Sequence, residues 1–359
     1  MQKVNNMYPK IEINIKNILQ NLNNIKNIDN NNRNITLVTK ILAGNYEIVE
    51  KICKKSNIKS IADSHVENLK LYKGIPVKKW LIREPGMSEI HEVVKYADIS
   101  FNSEIQTINK LNKEAKKQNK IHGVLLTYEL GDIREGCNKD ELYELLSKCI
   151  LLDNIKVYGI ASNLSCFGGV IPTEENMNEL KDLAIDIEKK FNINLEIITA
   201  IETSAIPIMK KQIIPEKLNN IRIGEAVFCG YNTAFSEPIE GFERDTFILK
   251  AEIVEIKDKP SIPRGISLVD ASGNKPNFQD KGIRKKALIG IGNEDINVNE
   301  IFPKDSKIEV IGGCSNYTVL DITDCTEEYN VGDVLDFNMS YFSILKSMMS
   351  KFVEKEIID

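Results

Sequence analysis

The feature that most limits the fold of this 359-residue chain is a regular alternation of short apolar runs with longer helical segments. Eight runs rich in Val, Ile, Leu and Thr precede residue 230, and such runs are typical of strands buried on both faces. They are TLVTKI (36–41), KSIADS (59–64), KKWLIR (78–83), ADISFN (97–102), HGVLLTY (122–128), KVYGIAS (156–162), LEIITA (195–200) and IRIGEAVF (221–228). Helical segments lie between them, for example at 103–120 and at 173–192, where Thr173 is a good N-cap residue. Eight strand–helix units over about 230 residues predict parallel strands in a (β/α)8 TIM barrel.

A doubly wound open sheet is the alternative that eight strands also allow. No GxGxxG motif follows the first run, which removes the usual reason to prefer that fold. From about residue 245 the runs TFILKAEIVEI, KKALIGIG, KIEVIGG, YTVLDIT and DVLDFNM follow one another with little helical period between them. We therefore expect an α/β chain with the barrel over residues 1–235 and an all-β domain over 236–359. Residues 8–14 form a further expected strand, placed to pair with the second domain.

Composition narrows the expected partners and location. The chain is 42% hydrophobic and 28% charged, as in ordinary soluble globular proteins, and its net charge of −5 disfavours nucleic acids and anionic membranes. No run resembles a signal peptide or a membrane span. Seven scattered cysteines without a CxxC motif fit reduced thiols, and three distant histidines predict no metal site. We expect a cytoplasmic protein whose partner is a small molecule, with neither nucleic acid nor membrane involved.

Polar residues follow several of the predicted barrel strands. In TIM barrels the chemistry takes place where strands end and loops begin. Lys40 ends the first run, Arg134 follows the fifth and Asn163 follows the sixth. Thr203 and Ser204 follow the seventh run, and Arg222, Gly224 and Glu225 lie along and after the start of the eighth. These groups are expected to converge on one mouth of the barrel.

Each of these residues also has a structural interpretation. The Lys40 stem can pack on its strand while the ammonium reaches water. Arg134 can form a surface ion pair with Asp132 or Glu135, and Arg222 can be a structural bridge. Ser204 can cap the helix that follows it.

Several sequence motifs resemble those of the alanine racemase-like, fold-type III enzymes that use pyridoxal phosphate (PLP), and among these the ornithine racemases. The motifs run from the N-terminus to the last helical segment and so cover nearly the whole chain. They are YPKIEI, LVTK, ADSHVENL, KYADISFNSE, GDIREG, GIASNLSCFGGVIP, IRIGEA, DKGIRKKALIGIG and SYFSILKSMMSKF. The resemblance implies a PLP-dependent racemase that removes the Cα proton of ornithine or a related amino acid while the substrate is joined to the cofactor.

The resemblance also implies a role for each residue at the barrel mouth. Lys40 matches the lysine that forms the Schiff base with PLP, and Arg222 matches the arginine facing the ring nitrogen. An arginine there keeps that nitrogen unprotonated, which favours reprotonation at Cα over transamination. Arg134 matches an arginine near the phenolic oxygen and the substrate carboxylate, and Asn163 stands where a ring-contacting histidine is usual. The phosphate-binding positions are Thr203, Ser204, Gly224, Glu225 and, from the second domain, Tyr341.

Two departures from the family pattern concern the second acid/base. The family supplies it as a tyrosine from the partner subunit, which implies a homodimer with shared active sites. Asn293 stands at that position and Asn316 replaces an expected aspartate, so Cys314 and Tyr317 are the nearby substitutes. Another fold-type III reaction, such as decarboxylation, and PLP binding without turnover stay open.

A third departure is Glu202, next to the expected phosphate site, where like charges repel. It is expected to point away from the phosphate or toward a cationic substrate tail. Glu84, Asp132 and Glu202 are the candidate acceptors for such a tail.

Overall fold

The computed structural model describes residues 7–270, 273 and 275–359, which form two compact units. One unit is Ile18–Glu243, and the other joins the described residues up to Asn17 to Arg244–Asp359. The units therefore divide eight residues after the break at 235–236 that the sequence suggests.

The helices and strands are numbered in chain order. The helices are α1 (Ile15–Ile28), α2 (Tyr46–Ser56), α3 (Val66–Leu71), α4 (Ile90–Tyr96), α5 (Ile105–Lys117), α6 (Lys139–Cys149), α7 (Glu174–Phe191), α8 (Ile206–Lys210), α9 (Glu225–Cys229) and α10 (Tyr341–Met349). The first nine strands are β1 (Lys10–Asn14), β2 (Asn34–Val38), β3 (Ser60–Asp63), β4 (Lys78–Leu81), β5 (Ile99–Asn102), β6 (His122–Thr127), β7 (Ile155–Ala161), β8 (Ile197–Thr199) and β9 (Asn220–Ile223). The remaining strands are β10 (Tyr231–Asn232), β11 (Glu237–Pro238), β12 (Phe247–Pro260), β13 (Ile283–Ile289), β14 (Ile301–Pro303), β15 (Glu309–Gly313), β16 (Thr318–Asp321), β17 (Val334–Met339) and β18 (Glu354–Ile358).

The first unit is the predicted parallel barrel. Its eight strands are ordered β8-β7-β6-β5-β4-β3-β2-β9, and every ladder between them is parallel. The sheet closes through a parallel bridge between Ile201 and Ile221. The interior is filled by apolar side chains from consecutive strands, including Ala62 of β3, Trp80 of β4 and Phe101 of β5. The fold class predicted from the alternation is confirmed.

Helix caps explain where several barrel helices begin. Thr173 caps α7 as predicted, since its hydroxyl accepts a hydrogen bond from the backbone N–H of Asn176 at 3.3 Å. Asn138 caps α6 in the same way, with Glu141 completing a capping box. These caps satisfy N–H groups that have no partner inside the helix.

Two predicted strands end earlier in the structure than their apolar runs. The first stops at Val38, and Lys40–Leu42 forms a 3-10 turn. The run IRIGEAVF was wrongly predicted to be one strand, because only its first half is β9, and Glu225–Cys229 is α9. Ala226–Cys229 are all buried, so this short helix lacks the polar face that distinguishes a helix from a buried strand.

The second unit is built on an antiparallel sheet. Its strands run in the order β14-β17-β12-β13-β16-β15, and β1 lies between β12 and β18. The first strand of the chain is thus antiparallel to β12 and parallel to the last strand. Helix α10 is the helical part of this otherwise β-rich unit.

The part of the chain that the structure describes contains no helix long and apolar enough to cross a membrane.

Candidate active site

Lys40 lies just past the carboxyl end of β2, in the first position of the 3-10 turn. The residue before it is fixed to β3: the Thr39 N–H donates to the carbonyl of Ala62 at 2.7 Å, and its hydroxyl donates to Asp63 at 3.0 Å. Asp63 is fully buried, and burial raises the pKa of its carboxyl group. Asp63 therefore positions the turn that carries Lys40, a role that its place inside the motif ADSHVENL did not indicate.

Arg222 of β9 crosses the mouth of the barrel and is almost completely buried. Its Nε donates to Thr199 at 3.2 Å, Nη1 to Asn163 Oδ1 at 2.6 Å, and Nη2 to both the Ser162 carbonyl and Glu202 Oε1, the latter at 2.6 Å. A guanidinium has five N–H donors. Within the described part of the chain four of them are engaged, so one N–H on Nη1 remains for a ligand.

A polar chain continues from Arg222 to Arg134. The Asn163 amide donates to Glu135, whose carboxylate pairs with Arg134 Nε at 2.6 Å. The predicted ion pair of Arg134 with Glu135 is therefore present. The same carboxylate links Arg134 through Asn163 to Arg222, so three loops at the mouth share one network.

Ser204 lies at the end of β8 with a buried hydroxyl. Its Oγ has no hydrogen-bond partner among the residues that the structure describes, and it makes no capping bond to the helix that follows. The predicted capping role is therefore wrong. A buried hydroxyl without a partner is costly, which makes Ser204 a candidate ligand-binding group.

Neighbouring groups from β9 complete this corner of the mouth. Thr203 accepts a hydrogen bond from the Ala226 N–H at 3.1 Å, which joins the loop after β8 to α9. Gly224 packs tightly on β2, because a Cβ there would lie 3.1 Å from both Cβ and the carbonyl oxygen of Val38. The ends of β8, β9 and β2 thus meet where Ser204, Gly224 and Lys40 stand.

Glu225 brings a carboxylate to the same corner. It accepts hydrogen bonds from the backbone and hydroxyl of Thr233. Burial raises the pKa of Glu225, and the positive charge of Lys40 acts in the opposite direction. The ammonium of Lys40 therefore lies within electrostatic reach of this carboxylate.

The three acids considered for a cationic substrate tail are already engaged. Glu84 accepts from the Ser103 N–H at 2.6 Å, and Asp132, which is 1% exposed, accepts from Phe167 N at 2.9 Å. Glu202 pairs with Arg222, its Oε1 lying 2.6 Å from Nη2. Burial raises the pKa of the Glu202 carboxyl, an effect that Arg222 and Arg134 oppose.

The site residues predicted in the second unit lie close to one another. The Asn293 N–H donates to the Cys314 carbonyl at 2.8 Å, and the Cys314 N–H donates to the Tyr317 carbonyl at 2.9 Å. Asn316 lies in the same turn, where both Cys314 and Tyr317 are exposed. Tyr341 is the first residue of α10 and is half-buried.

The barrel residues fit a cofactor that carries a phosphate and a ring nitrogen. The unpaired Ser204 hydroxyl can donate to a phosphate oxygen, and the single remaining N–H of Arg222 suits one acceptor atom. Lys40 offers a primary amine from the neighbouring strand. This donor set is what PLP requires.

The fold and these groups define a class of barrel proteins with a lysine after the first barrel strand and a cluster of polar groups after the last two. A model of the alanine racemase N-terminal domain matches residues 13–232. This chain belongs to the alanine racemase family and is an amino-acid racemase.

Two relatives are similar over nearly their whole length. The ornithine racemase of Acetoanaerobium sticklandii is 41% identical over 354 residues, covering 98% of this chain and 100% of the relative. The lysine racemase of Thermotoga maritima is 34% identical over 353 residues, covering 97% of this chain and 98% of the relative. The family resemblance inferred from the motifs is confirmed.

Solved structures share the fold at lower identity. An alanine racemase of Clostridium difficile 630 has a TM-score of 0.76 at 18% identity, covering 99% of this chain and 97% of that chain. An alanine racemase from Bartonella henselae with covalently bound pyridoxal phosphate has a TM-score of 0.74 at 14% identity. The match covers 98% of this chain and 100% of that chain. The alanine racemase family is PLP-dependent.

Proposed function

We propose that this protein interconverts the L- and D-enantiomers of ornithine, or of a closely related basic amino acid, with PLP held at the barrel mouth. The observation that carries the proposal is the meeting of Lys40, the unpaired Ser204 hydroxyl and the anchored Arg222 at three neighbouring strand ends. The basic substrate is supported by the ornithine and lysine racemases, which are 41% and 34% identical to this chain.

When bound, PLP supplies an electron sink that stabilises negative charge at the substrate Cα. Lys40 would hold the cofactor through its amine until the amine of the substrate displaces it, and the freed lysine amine would then move the Cα proton on one face. Arg222 would donate its remaining Nη1 hydrogen to the ring nitrogen, and its four other bonds keep the guanidinium from moving.

The phosphate would be held by groups of the barrel. Ser204 and Thr203 would donate through their hydroxyls, and Gly224 and Glu225 through backbone N–H groups. Arg134 binds the substrate carboxylate, for which a guanidinium is the best bidentate donor.

The opposite face of Cα needs a second acid/base. Asn293 cannot transfer a proton at neutral pH, so its neighbours Cys314 and Tyr317 are proposed for this role. Both are exposed, as a group that must reach the active site of a partner subunit has to be. The working form is accordingly a cytoplasmic homodimer with shared sites.

The test follows the Cα proton of L-ornithine by NMR in D2O with purified protein and PLP, and then separates the enantiomers by chiral chromatography. Loss of the Cα signal together with D-ornithine supports the proposal, and L-lysine and L-alanine measure specificity. Lys40→Ala should lower the rate by at least about 10³-fold. Lys54→Ala, an exposed lysine on α2, is the matched control and should retain activity.

Other results would contradict the assignment in distinct ways. Proton exchange without inversion would mean that no second acid/base acts. Formation of the decarboxylated diamine would support decarboxylation, which needs no base opposite Lys40 and is the reaction that Asn293 keeps under consideration. A bound cofactor without exchange on any of the three amino acids would reject the racemase activity for basic substrates and alanine alike.

A further inference from the structure

A second cavity lies at the amino-terminal end of the barrel, opposite the end that holds Lys40. Its volume is about 530 Å³, which is within the range of small-molecule sites. It is formed at the starts of the barrel strands, and its apolar wall comes from Ile35, Trp80, Tyr158 and Ile197. None of these residues belongs to the site at the carboxyl end.

Three exposed lysines, Lys26, Lys59 and Lys78, line this cavity. Lys59 and Lys78 stand at adjacent strand starts, since the Lys78 N–H donates to the Lys59 carbonyl at 2.9 Å, and the Lys26 ammonium donates to the Ser56 carbonyl at 3.0 Å. The Lys59 ammonium contacts the Asn57 side chain, and that of Lys78 lies 5.1 Å from the Tyr158 ring centroid. These contacts are to neutral groups.

The two carboxylates in the same wall are already paired. Asp29 forms a buried ion pair with Arg33, and Glu196 pairs with Lys156 at 2.6 Å. The charge of Arg33 is therefore neutralised by Asp29, and the three lysines give the wall its excess positive charge. The cavity wall is cationic although the chain as a whole has a net charge of −5.

Trp80 provides an independent observation. Its side chain is in the cavity wall and 3% exposed, and its Nε1 has no acceptor among the residues that the structure describes. An indole N–H only donates, and a buried donor without a partner is rare in folded proteins. The indole of Trp80 therefore forms part of the cavity wall, with its N–H buried.

We propose that this cavity is a binding site for a small multivalent anion, a polycarboxylate or a polyphosphate. Both chemistries offer several compact negative charges to the three ammonium groups. The site is independent of the racemase chemistry, because no group in it belongs to the mouth that holds Lys40.

Trp80 is also the reporter for the test, because it is the only tryptophan of the chain. Its emission is followed while the PLP-loaded protein is titrated with citrate and, separately, with pyrophosphate, at an ionic strength kept constant with NaCl. A saturable change in emission is expected. The double variant Lys59→Met/Lys78→Met should bind about tenfold more weakly, since it removes two of the three exposed ammonium groups of the wall.

The matched control is Lys113→Met/Lys116→Met on α5, which removes the same charge outside the cavity and should bind as the parent does. Saturation by citrate alone or pyrophosphate alone identifies the preferred chemistry, and saturation by both means that charge suffices. A linear response to both anions, or equal affinity in the two double variants, would overturn the proposal. Neither result bears on racemisation, which is measured separately.

Discussion

At the scale of single residues, Glu202 is the counter-ion of Arg222, which lies twenty residues later on the adjacent strand. Only the fold brings these two side chains together. Residue type and position alone do not give a side chain's direction. The same is true of Asp63, whose role depends on the contact with Thr39 of the neighbouring strand.

Removing the Glu202 carboxylate should destabilise the barrel, because it leaves the buried Arg222 guanidinium without its counter-ion. We expect Glu202→Ala to lower the free energy of unfolding by about 3 kcal/mol. Glu202→Gln should lose less unfolding free energy, since its amide oxygen can still accept a hydrogen bond from Arg222 Nη2. Urea titrations at pH 7 measure both. Glu240→Ala, at a side chain that is 96% exposed, is the control, and an effect of Glu202→Ala no larger than this would contradict the ion pair's importance.

His122 should make the protein sensitive to mild acid. It is buried on β6, with Nε2 2.9 Å from Ser100 Oγ, and burial lowers the pKa of His122 from 6.5 to about 4. Between those pH values the unfolded chain binds a proton that the native state excludes, so stability falls as the pH falls. Between pH 7.5 and 5.0 the loss due to this group is about 2 kcal/mol.

The measurement compares unfolding free energies of the parent and His122→Gln at those two pH values, since glutamine can keep a bond to Ser100. The parent should lose about 2 kcal/mol more than the variant, an expectation from the same linkage. His91→Gln, at an exposed histidine, should retain the parent's pH dependence. Equal losses in parent and His122→Gln would show that His122 titrates normally.

At the scale of elements, Asp132 joins the two loops that carry Arg134 and Asn163. Its carboxylate accepts from Cys166 N at 3.3 Å and Phe167 N at 2.9 Å, and its carbonyl accepts from Gly168 N at 3.0 Å. The sequence suggested either a surface ion pair or a tail-binding acid for Asp132. The structure instead shows a side chain used entirely in positioning a loop.

Asp132→Ala should therefore loosen residues 163–172 without unfolding the barrel. Hydrogen exchange at the amides of Cys166 and Phe167 is expected to accelerate at least about tenfold, because a bonded amide exchanges only when it opens. Peptide-resolved exchange with mass spectrometry measures this. Asp153→Ala, in the turn before β7, is the control and should leave those amides unchanged.

Strand positions were largely predictable, and strand ends were not. The runs chosen for β3 to β7 include nearly all of each observed strand, because strands covered on both faces are uniformly apolar. The ends depend on local turns: Lys40–Leu42 and Glu225–Cys229 continue the apolar pattern after the backbone has left the sheet. Since buried helix and buried strand have the same composition over five residues, hydropathy cannot separate them.

At the scale of the whole molecule, the order of the motifs along the chain predicted more of the fold than any single motif did. The barrel and the β-rich unit followed from the change of period near residue 245, and the observed units divide at 243–244. The pairing of β1 with both β12 and β18 joins the two ends of the chain and has no local pattern beyond a strand at 8–14. Long-range pairing of this kind is decided by packing, which composition does not encode.

The proposed shared active site leads to a prediction for mixed dimers. Lys40→Ala and the double variant Cys314→Ala/Tyr317→Phe should each be inactive in ornithine racemisation. If Lys40 of one chain works with Cys314 or Tyr317 of its partner, unfolding and refolding the two variants together restores one of the two sites in each mixed dimer. With random pairing this gives about one quarter of the parent activity.

A second mixture tests the same inference from the other side. Lys40→Ala and Arg222→Ala both damage the barrel, so every site in their mixed dimer keeps one defect and no activity should return. Recovery in the first mixture alone shows that the barrel and the turn around Cys314 act across subunits. If neither mixture recovers activity, each chain uses its own turn around Cys314. If the Cys314→Ala/Tyr317→Phe variant is itself active, neither Cys314 nor Tyr317 is the second acid/base.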